Sequence, residues 1–180
     1  MKKILVIGAG RSAVTLIKYL LDNAQENNWF VTVADFSVDL AKQAVRNLEN
    51  AEAIFFDVSD EKQRESEISN ADIIISMLPA ALHITVAKDC VQFKTNLVTA
   101  SYVSEEIVTL DEKAKASGII LLNEIGLDPG IDHMSAMHMI DEIKEYGGEI
   151  TSFKSYCGGL VHPDFDNNPW NYKFTWSPRN

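Results

Sequence analysis

Cysteines, basic side chains and long apolar runs are all scarce in this sequence. Its 180 residues include two cysteines, Cys90 and Cys157, which do not form a C-x-x-C pair. So few cysteines argue against a disulfide framework and favour a cytoplasmic setting. Gly8 and Gly10 interrupt the apolar run near the N-terminus before it reaches the length of a secretion signal, and no run has the ~20 residues of a membrane span. We therefore expect a soluble, cytoplasmic protein.

The shortage of basic residues excludes some classes of partner. Lysine and arginine total 16, against 26 aspartates and glutamates, and the formal net charge is −10. Nucleic acids and anionic membranes bind basic surfaces, so we expect neither as a partner. Small anionic ligands remain compatible with this charge, because backbone amides can bind them locally.

Residue patterns for a metal site are missing as well. The sequence has four histidines without the spacing of metal ligands: His83, His133, His138 and His162. Asp164 and Asp166 lie beside asparagines, but the spacing of an EF-hand calcium loop is absent. We predict no metal site, and we interpret each histidine as a surface or partly buried side chain.

The sequence does contain a regular alternation of strand and helix patterns. Short apolar runs rich in β-branched residues predict strands at residues 3–7, 29–36, 51–58, 71–78, 95–103 and 119–122. Helical spacing begins near residue 14 and recurs at residues 38–48, 81–91 and 105–117, with Ser104 and Gly118 as caps of the last helix. This alternation predicts an α/β fold with a Rossmann-type doubly wound parallel sheet over residues 1–130.

The pattern changes after residue 130. Residues 131–146 have the spacing of one long helix, and residues 149–159 alternate as an antiparallel strand would. About fifty residues do not easily build an independent domain. We therefore interpret residues 131–180 as the incomplete start of an α+β substrate or dimerisation domain, and we expect the full-length protein to form a homodimer.

A glycine motif follows the first predicted strand and opens the first helix. In the sequence VIGAGRSA, Gly8 allows a tight turn, Gly10 lets the backbone approach a pyrophosphate, and Ala13 permits close helix packing. Asp35 ends the second strand, where a carboxylate accepts hydrogen bonds from both ribose hydroxyls and repels a 2′-phosphate. The motif predicts a dinucleotide site that favours NAD. The alternative is a Rossmann-like domain that has lost its nucleotide.

Polar side chains follow the later strands at the same predicted edge. The segment SMLPAALH, which begins at Ser76, follows the fourth strand, and Ser101 and Tyr102 follow the fifth. Ligands of doubly wound sheets lie beyond the carboxyl ends of the strands, so these residues are candidates for ligand contact. Asp57 closes the third strand and is a candidate for the adenine side, although a solvated strand end explains it equally well. The alternative to ligand contact at Ser76 is that this segment, through Pro79, only ends the strand.

The sequence Asp128-Pro129-Gly130 follows the sixth strand. A carboxylate at that edge faces the nicotinamide end of a bound dinucleotide. There, Asp128 can hold an amino group or move a proton during hydride transfer. Pro129 and Gly130 would fix its approach and begin the next helix.

Several segments together resemble one enzyme family. TASYV, GLDPGIDHM, SYCGGL and NNPWNYKFTWSPR look like the N-terminal part of the saccharopine dehydrogenase (glutamate-forming), or saccharopine reductase, family. The resemblance covers essentially the whole chain, although family members are considerably longer. It implies an oxidoreductase of lysine metabolism that interconverts saccharopine with glutamate and 2-aminoadipate 6-semialdehyde, using NAD(P).

The resemblance also implies residue roles. Substrate contacts and catalysis fall on Ser101, Tyr102 and Asp128. Together with Gly8 and Ser76 from the residue patterns, the cofactor contacts are Gly8, Ala9, Gly10, Arg11, Ser12, Asp35, Phe36, Ser37, Asp57, Val58, Ser76, Ala100, Ser101, Leu127, Asp128, Pro129 and Ser177. Family members that use NADP commonly carry a basic residue at the end of the second strand. The sequence VADFS lacks one, which favours NAD over NADP.

Two other functions remain open at this point. Related enzymes such as carboxynorspermidine dehydrogenase share the Asp-Pro-Gly element, although the tail sequence is more typical of the saccharopine branch. A non-catalytic dinucleotide-binding module is the alternative from a different class. We expect a small amino-acid substrate as the partner in the first two cases.

Overall fold

A computed structural model describes residues 1–45, 48–156 and 161–173. Within them, six strands form one parallel sheet in the order β3-β2-β1-β4-β5-β6. The strands are β1 (Lys2–Ile7), β2 (Trp29–Asp35), β3 (Ala51–Phe55), β4 (Ile73–Ser76), β5 (Asn96–Thr99) and β6 (Leu121–Leu122). This is the strand order of a doubly wound Rossmann sheet, so the predicted fold class is confirmed.

Seven α-helices connect or follow the strands in the described residues. They are α1 (Val14–Ala24), α2 (Val38–Val45), α3 (Glu61–Ser69), α4 (His83–Phe93), α5 (Glu105–Val108), α6 (Asp111–Ser117) and α7 (Ile131–Glu145). The single helix predicted over residues 105–117 is therefore two helices. At the break, the Thr109 hydroxyl donates to the Glu106 carbonyl (2.6 Å), and Leu110 turns into the core. The two predicted caps are present, since Ser104 Oγ accepts from the Ile107 amide and Gly118 is left-handed.

Helix α3 is absent from the prediction because its sequence, EKQRESEIS, has almost no apolar periodicity. Only Arg64 and Ile68 are buried in it. Its beginning does carry a usable signal, since Asp60 is followed three residues later by Gln63. The Asp60 side chain accepts a hydrogen bond from the Gln63 amide (3.1 Å) and caps the helix.

The core has two parts, one on each face of the sheet. Strand β1 contributes Ile4 and Val6 to one part, and Leu5 and Ile7 to the other. Each of these four side chains is at most 6% exposed. Burial on both faces explains why β1 is a continuous apolar run rather than an alternating one.

Three strands end at least two residues earlier than the sequence predicts. Strand β3 ends at Phe55, β4 at Ser76 and β5 at Thr99. The residues that follow, 56–58, 77–78 and 100–103, are therefore loops at the carboxyl edge of the sheet. That edge is where doubly wound folds bind their ligands.

The chain divides into two compact units, Met1–Ile131 and Asp132–Asn180. The second unit contains most of α7, which has no buried residue. The strand predicted over residues 149–159 is wrong for the described part, because residues 149–156 form no strand. An alternating pattern supplies one apolar face, but a strand also needs a hydrogen-bonded neighbour, and no described strand pairs with this segment. None of the described helices has the length and apolar character required to cross a membrane.

Candidate functional site

The glycine loop between β1 and α1 has the geometry that the sequence predicts. Gly8 has a φ of +106°, and a Cβ there would lie 2.9 Å from the Met77 carbonyl oxygen. A side chain is therefore excluded both by the backbone conformation and by the neighbouring loop. A Cβ on Gly10 would meet no atom within 4 Å, so this part of the loop is open. Ala13 is fully buried under the helix that begins here.

Asp35 connects the glycine loop to the loop after β2. One carboxylate oxygen accepts from the Ala9 amide and the other from the Ser37 amide, each at 2.7 Å. The side chain is half-buried. Each carboxylate oxygen has a second lone pair, so Asp35 keeps acceptor capacity for ribose hydroxyls while it holds the two loops together.

An apolar groove of about 180 Å³ adjoins Asp35. Its lining includes five of the predicted cofactor residues: Gly8, Asp35, Phe36, Asp57 and Val58. The Phe36 ring packs on Phe55 with the ring centroids 5.5 Å apart, yet it remains 71% exposed. An exposed aromatic face beside a ribose-binding carboxylate suits a planar base.

The loop that carries Asp57 and Val58 is fixed by hydrogen bonds. The Ser59 hydroxyl and amide donate to Asp57, at 2.7 Å and 2.9 Å, and lower the pKa of its carboxyl. Arg64 on α3 donates through Nη1 to the Val58 carbonyl (2.6 Å) and through Nε to Asp89 on α4. Arg64 and Asp89 are each 7% exposed, so a buried ion pair anchors this wall of the groove.

A buried hydrogen-bond network lies at the ends of β4 and β5. Ser76 Oγ is 2.9 Å from His83 Nδ1, and His83 Nε2 is 2.8 Å from Ser101 Oγ and 3.2 Å from Thr99 Oγ1. Ser76, His83 and Thr99 are each 1% exposed, whereas Ser101 is half-buried. Burial lowers the pKa of His83, so its imidazole is neutral near pH 7.

The segment that carries Asp128 is attached to the loop after β5. The Ile125 amide donates to the Thr99 carbonyl (3.3 Å), and the Glu124 amide donates to the Ser101 carbonyl (3.0 Å). A Cβ on Gly126 would lie 2.9 Å from the Ala100 Cβ, so the two loops are in close contact. Within the segment, the Gly126 amide donates to the Pro129 carbonyl (2.9 Å). These contacts hold residues 124–126, directly before the Asp-Pro-Gly element, against the loop that carries Ala100 and Ser101.

The predicted site residues differ in exposure. Asp128 and Leu127 are exposed and Pro129 is buried, while Tyr102 is 51% exposed. Arg11 and Ser12 are exposed in the short helical turn that precedes α1. Ser177 lies outside the described residues.

Comparisons with known proteins identify the family. A family model described as the saccharopine dehydrogenase NADP binding domain matches residues 4–122, and one described as the saccharopine dehydrogenase C-terminal domain matches residues 126–180. The chain belongs to the saccharopine dehydrogenase family. This confirms the resemblance found in the sequence.

Members of this family with similar sequences come from fungi, plants and animals. A Schizosaccharomyces pombe protein named saccharopine dehydrogenase [NADP(+), L-glutamate-forming] is 42% identical over 99% of this chain and 39% of its own length. An Arabidopsis thaliana alpha-aminoadipic semialdehyde synthase is 46% identical over 87% of this chain and 15% of its own length. The apo saccharopine dehydrogenase (L-Glu forming) of Saccharomyces cerevisiae matches structurally with a TM-score of 0.82, at 38% identity, over 99% of this chain and 39% of that one. The chain thus spans about two fifths of the fungal saccharopine dehydrogenases that it matches.

The comparisons support a nicotinamide dinucleotide as the cofactor, but not the predicted preference for NAD. The matched domain is described as NADP binding, and the fission yeast relative is named for NADP(+). The individual site residues stay predictions, because the comparisons do not assign residue roles.

No sequence pattern predicts the His83 network or the Arg64–Asp89 pair. A single histidine has no motif, and its partners Ser76 and Ser101 come from two different strands. The only usable signal was position, because His83 begins the helix that directly follows a strand end. Arg64 and Asp89 are 25 residues apart on two helices, and no sequence spacing relates them.

Proposed function

We propose that this chain forms the dinucleotide-binding part of an enzyme that oxidises saccharopine to glutamate and 2-aminoadipate 6-semialdehyde, or runs the reverse reaction. One observation carries the proposal. The Glu124 and Ile125 amides donate to the Ser101 and Thr99 carbonyls, which attaches the segment that carries Asp128 to the loop after β5, at the same sheet edge as the glycine loop. The names of the similar fungal proteins support the choice of substrate.

The site fits a nicotinamide dinucleotide. No Cβ is tolerated at Gly8, and the side of the loop at Gly10 is open to a pyrophosphate. We assign the amides of residues 10–12 to the pyrophosphate, Asp35 to the adenosine ribose, and the groove at Phe36 and Val58 to the adenine. When bound, the nicotinamide would accept a hydride from the carbon beside the secondary amine of saccharopine.

The residues at the other end of the site would act on the substrate. Asp128 is an exposed carboxylate, able to hold the amine and to take up its proton as the carbon–nitrogen double bond forms. Ser101 and Tyr102 would orient the reacting groups through their hydroxyls. Water then hydrolyses the imine to the two products.

Asp128→Asn in the full-length protein tests this assignment. The variant keeps the size of the side chain but removes its charge, so kcat/KM for saccharopine should fall at least about tenfold, or roughly 1.4 kcal/mol of transition-state stabilisation. Dinucleotide affinity should change little. Asp111→Asn removes an exposed carboxylate on α6 and is the matched control. Near-normal kcat/KM for Asp128→Asn would leave the aspartate with only a role in the turn.

Assaying carboxynorspermidine as a second substrate of the full-length protein would separate the proposed activity from that of related enzymes.

We further propose that this member of the family prefers NAD. Asp35 places a negative charge where NADP would carry its 2′-phosphate, and the next residue, Phe36, has no charge to bind it. The names of the relatives favour NADP, so the proposal depends on this chain's own residues. Asp35→Ser combined with Phe36→Arg should shift the ratio of NADPH to NADH affinity toward NADPH. Tighter binding of NADPH than NADH by the parent protein would refute it.

A cytoplasmic location is also proposed, on the small number of cysteines alone. A similar mouse protein is named mitochondrial. Fractionation of cells that express the full-length protein tests the location.

A further inference from the structure

We propose that His83 is a positioning residue that makes the Ser101 hydroxyl a hydrogen-bond donor toward the ligand. The inference rests on the proposed function, because it assumes that a ligand binds beside Ser101. His83 is a buried neutral imidazole, so one of its ring nitrogens donates a hydrogen bond and the other accepts one.

The register of the sheet brings the partners of His83 together. Ser76 is paired with Thr99 across β4 and β5, and with Ile7 across β4 and β1. His83 begins α4 and contacts both strand ends from above the sheet edge. Ser101 lies two residues beyond Thr99, and its amide donates to Thr99 Oγ1 (3.3 Å). The network therefore runs from the buried end of β4 to a half-buried hydroxyl.

Counting hydrogens decides which ring nitrogen is protonated. With the hydrogen on Nδ1, the single lone pair of Nε2 faces two hydroxyls, those of Ser101 and Thr99, and can accept from one. In the described part of the chain, the Ser76 hydroxyl has no other hydrogen-bond partner than His83. The 2.8 Å contact between Nε2 and Ser101 Oγ requires a hydrogen between the two atoms, so in this form Ser101 donates to Nε2 and the hydrogens of Ser76 and Thr99 both lack an acceptor.

With the hydrogen on Nε2, fewer hydroxyls are left unsatisfied. The Ser76 hydroxyl donates to Nδ1, and Nε2 donates to Ser101 Oγ at the shorter of its two contacts, 2.8 Å. Only the Thr99 hydroxyl hydrogen then lacks an acceptor within the network. A buried polar hydrogen without an acceptor is unfavourable, so the Nε2–H form is preferred.

The preferred form controls what Ser101 offers to a ligand. Because Ser101 Oγ accepts from His83, its own hydrogen is free to point toward the open side. It can then bind a carbonyl or carboxylate oxygen, which both the nicotinamide carboxamide and the substrate provide. Ser76 acts at a distance, since its hydroxyl selects the ring nitrogen that carries the hydrogen.

The direct test is ¹⁵N NMR of the histidine rings in the full-length protein. His83 should show a protonated Nε2 and an unprotonated Nδ1, and Ser76→Ala should weaken that preference. A spectrum with the hydrogen on Nδ1 would overturn the proposal. This measurement does not depend on turnover, so it stands even if the protein fails to oxidise saccharopine and the proposed function is wrong.

Kinetics of paired variants test the consequence. His83→Leu and Ser101→Ala should each lower kcat/KM about tenfold, and the double variant should be no worse than Ser101→Ala alone. His83→Gln keeps a donor near the position of Nε2 and should stay within about threefold of the parent. If the two tenfold losses of kcat/KM multiply in the double variant, His83 does not act through Ser101 and the proposal is refuted. Should His83→Leu fail to fold, a tenfold loss in His83→Gln would refute it instead.

The acceptor is identified by the constant that changes. If Ser101→Ala raises the Kd of the dinucleotide, the Ser101 hydroxyl donates to the nicotinamide carboxamide. If it raises the KM for saccharopine instead, the hydroxyl donates to the substrate. If neither constant nor kcat changes, Ser101 does not bind a ligand and the proposal fails. Thr95→Val is the matched control, since Thr95 is 3% exposed but lies before β5, at the opposite edge. It should lower stability without changing kcat/KM.

Discussion

The buried ion pair between Arg64 and Asp89 allows stability and cofactor affinity to be separated. Both residues are 7% exposed, and Arg64 also donates to the Val58 carbonyl in the wall of the groove. Arg64→Leu would leave the Asp89 carboxylate buried without its partner. Removal of one member of a buried pair typically costs about 3–5 kcal/mol, so we expect a loss of that size in the free energy of unfolding.

The double variant Arg64→Leu/Asp89→Leu should regain most of that stability. Two apolar side chains of similar volume often replace a buried pair at little net cost, because neither charge then has to be desolvated. Dinucleotide affinity should not be regained, since the donor to the Val58 carbonyl is missing from the double variant as well. Urea denaturation and titration with NADH or NADPH, both on the full-length protein, measure the two quantities.

Two results would refute this reasoning. Equal instability of the single and double variants would show that the charges do not determine the cost. Recovery of affinity together with stability would show that Arg64 does not position Val58. Lys115→Ala breaks an exposed pair with Asp111 and is the control, for which little change in either quantity is expected.

Three further outcomes are expected. Gly8→Ala should destabilise the fold, because its φ of +106° disfavours a side chain and its Cβ would lie 2.9 Å from the Met77 oxygen; thermal unfolding measures this. Gly10→Ala has open space and a φ of −68°, so it should leave the melting temperature almost unchanged but weaken dinucleotide binding. Burial lowers the pKa of His83 from 6.5. The contribution of the neutral imidazole to the free energy of unfolding is therefore complete above pH 6.5 and is lost as the pH falls from 6.5 toward the pKa of the folded state. The free energy of unfolding of His83→Gln should depend less on pH in this range.

The strands of the sheet can be predicted from the sequence because each is marked by a pattern of neighbouring residues. Each strand is a short apolar run, and burial on both faces of β1 makes its run continuous. The glycine motif is equally local, since Gly8, Gly10 and Ala13 lie within six consecutive residues. Helix α3 was missed because it contacts the core mainly through Ile68 and the stem of Arg64, which gives no apolar period.

The missed parts of the site depend on contacts between distant residues. Ser76, His83 and Ser101 meet because β4 and β5 are neighbours, which follows from the strand order and not from any spacing in the sequence. The antiparallel strand predicted after α7 failed for a related reason. Alternation describes one segment, whereas pairing depends on a second segment that the pattern does not specify.

Asp35 shows how a residue identified from sequence acquires a second role in the structure. The sequence predicted a ribose acceptor, but the carboxylate also holds the Ala9 and Ser37 amides at 2.7 Å. Replacing it by serine therefore removes two loop contacts in addition to the charge, and affinity for both dinucleotides should fall. The ratio of the NADPH and NADH dissociation constants cancels that shared loss, because the same loops bind both cofactors. A change in the ratio therefore reports the charge at the ribose, and a fall in both affinities without a change in the ratio would show that Asp35 only supports the loops.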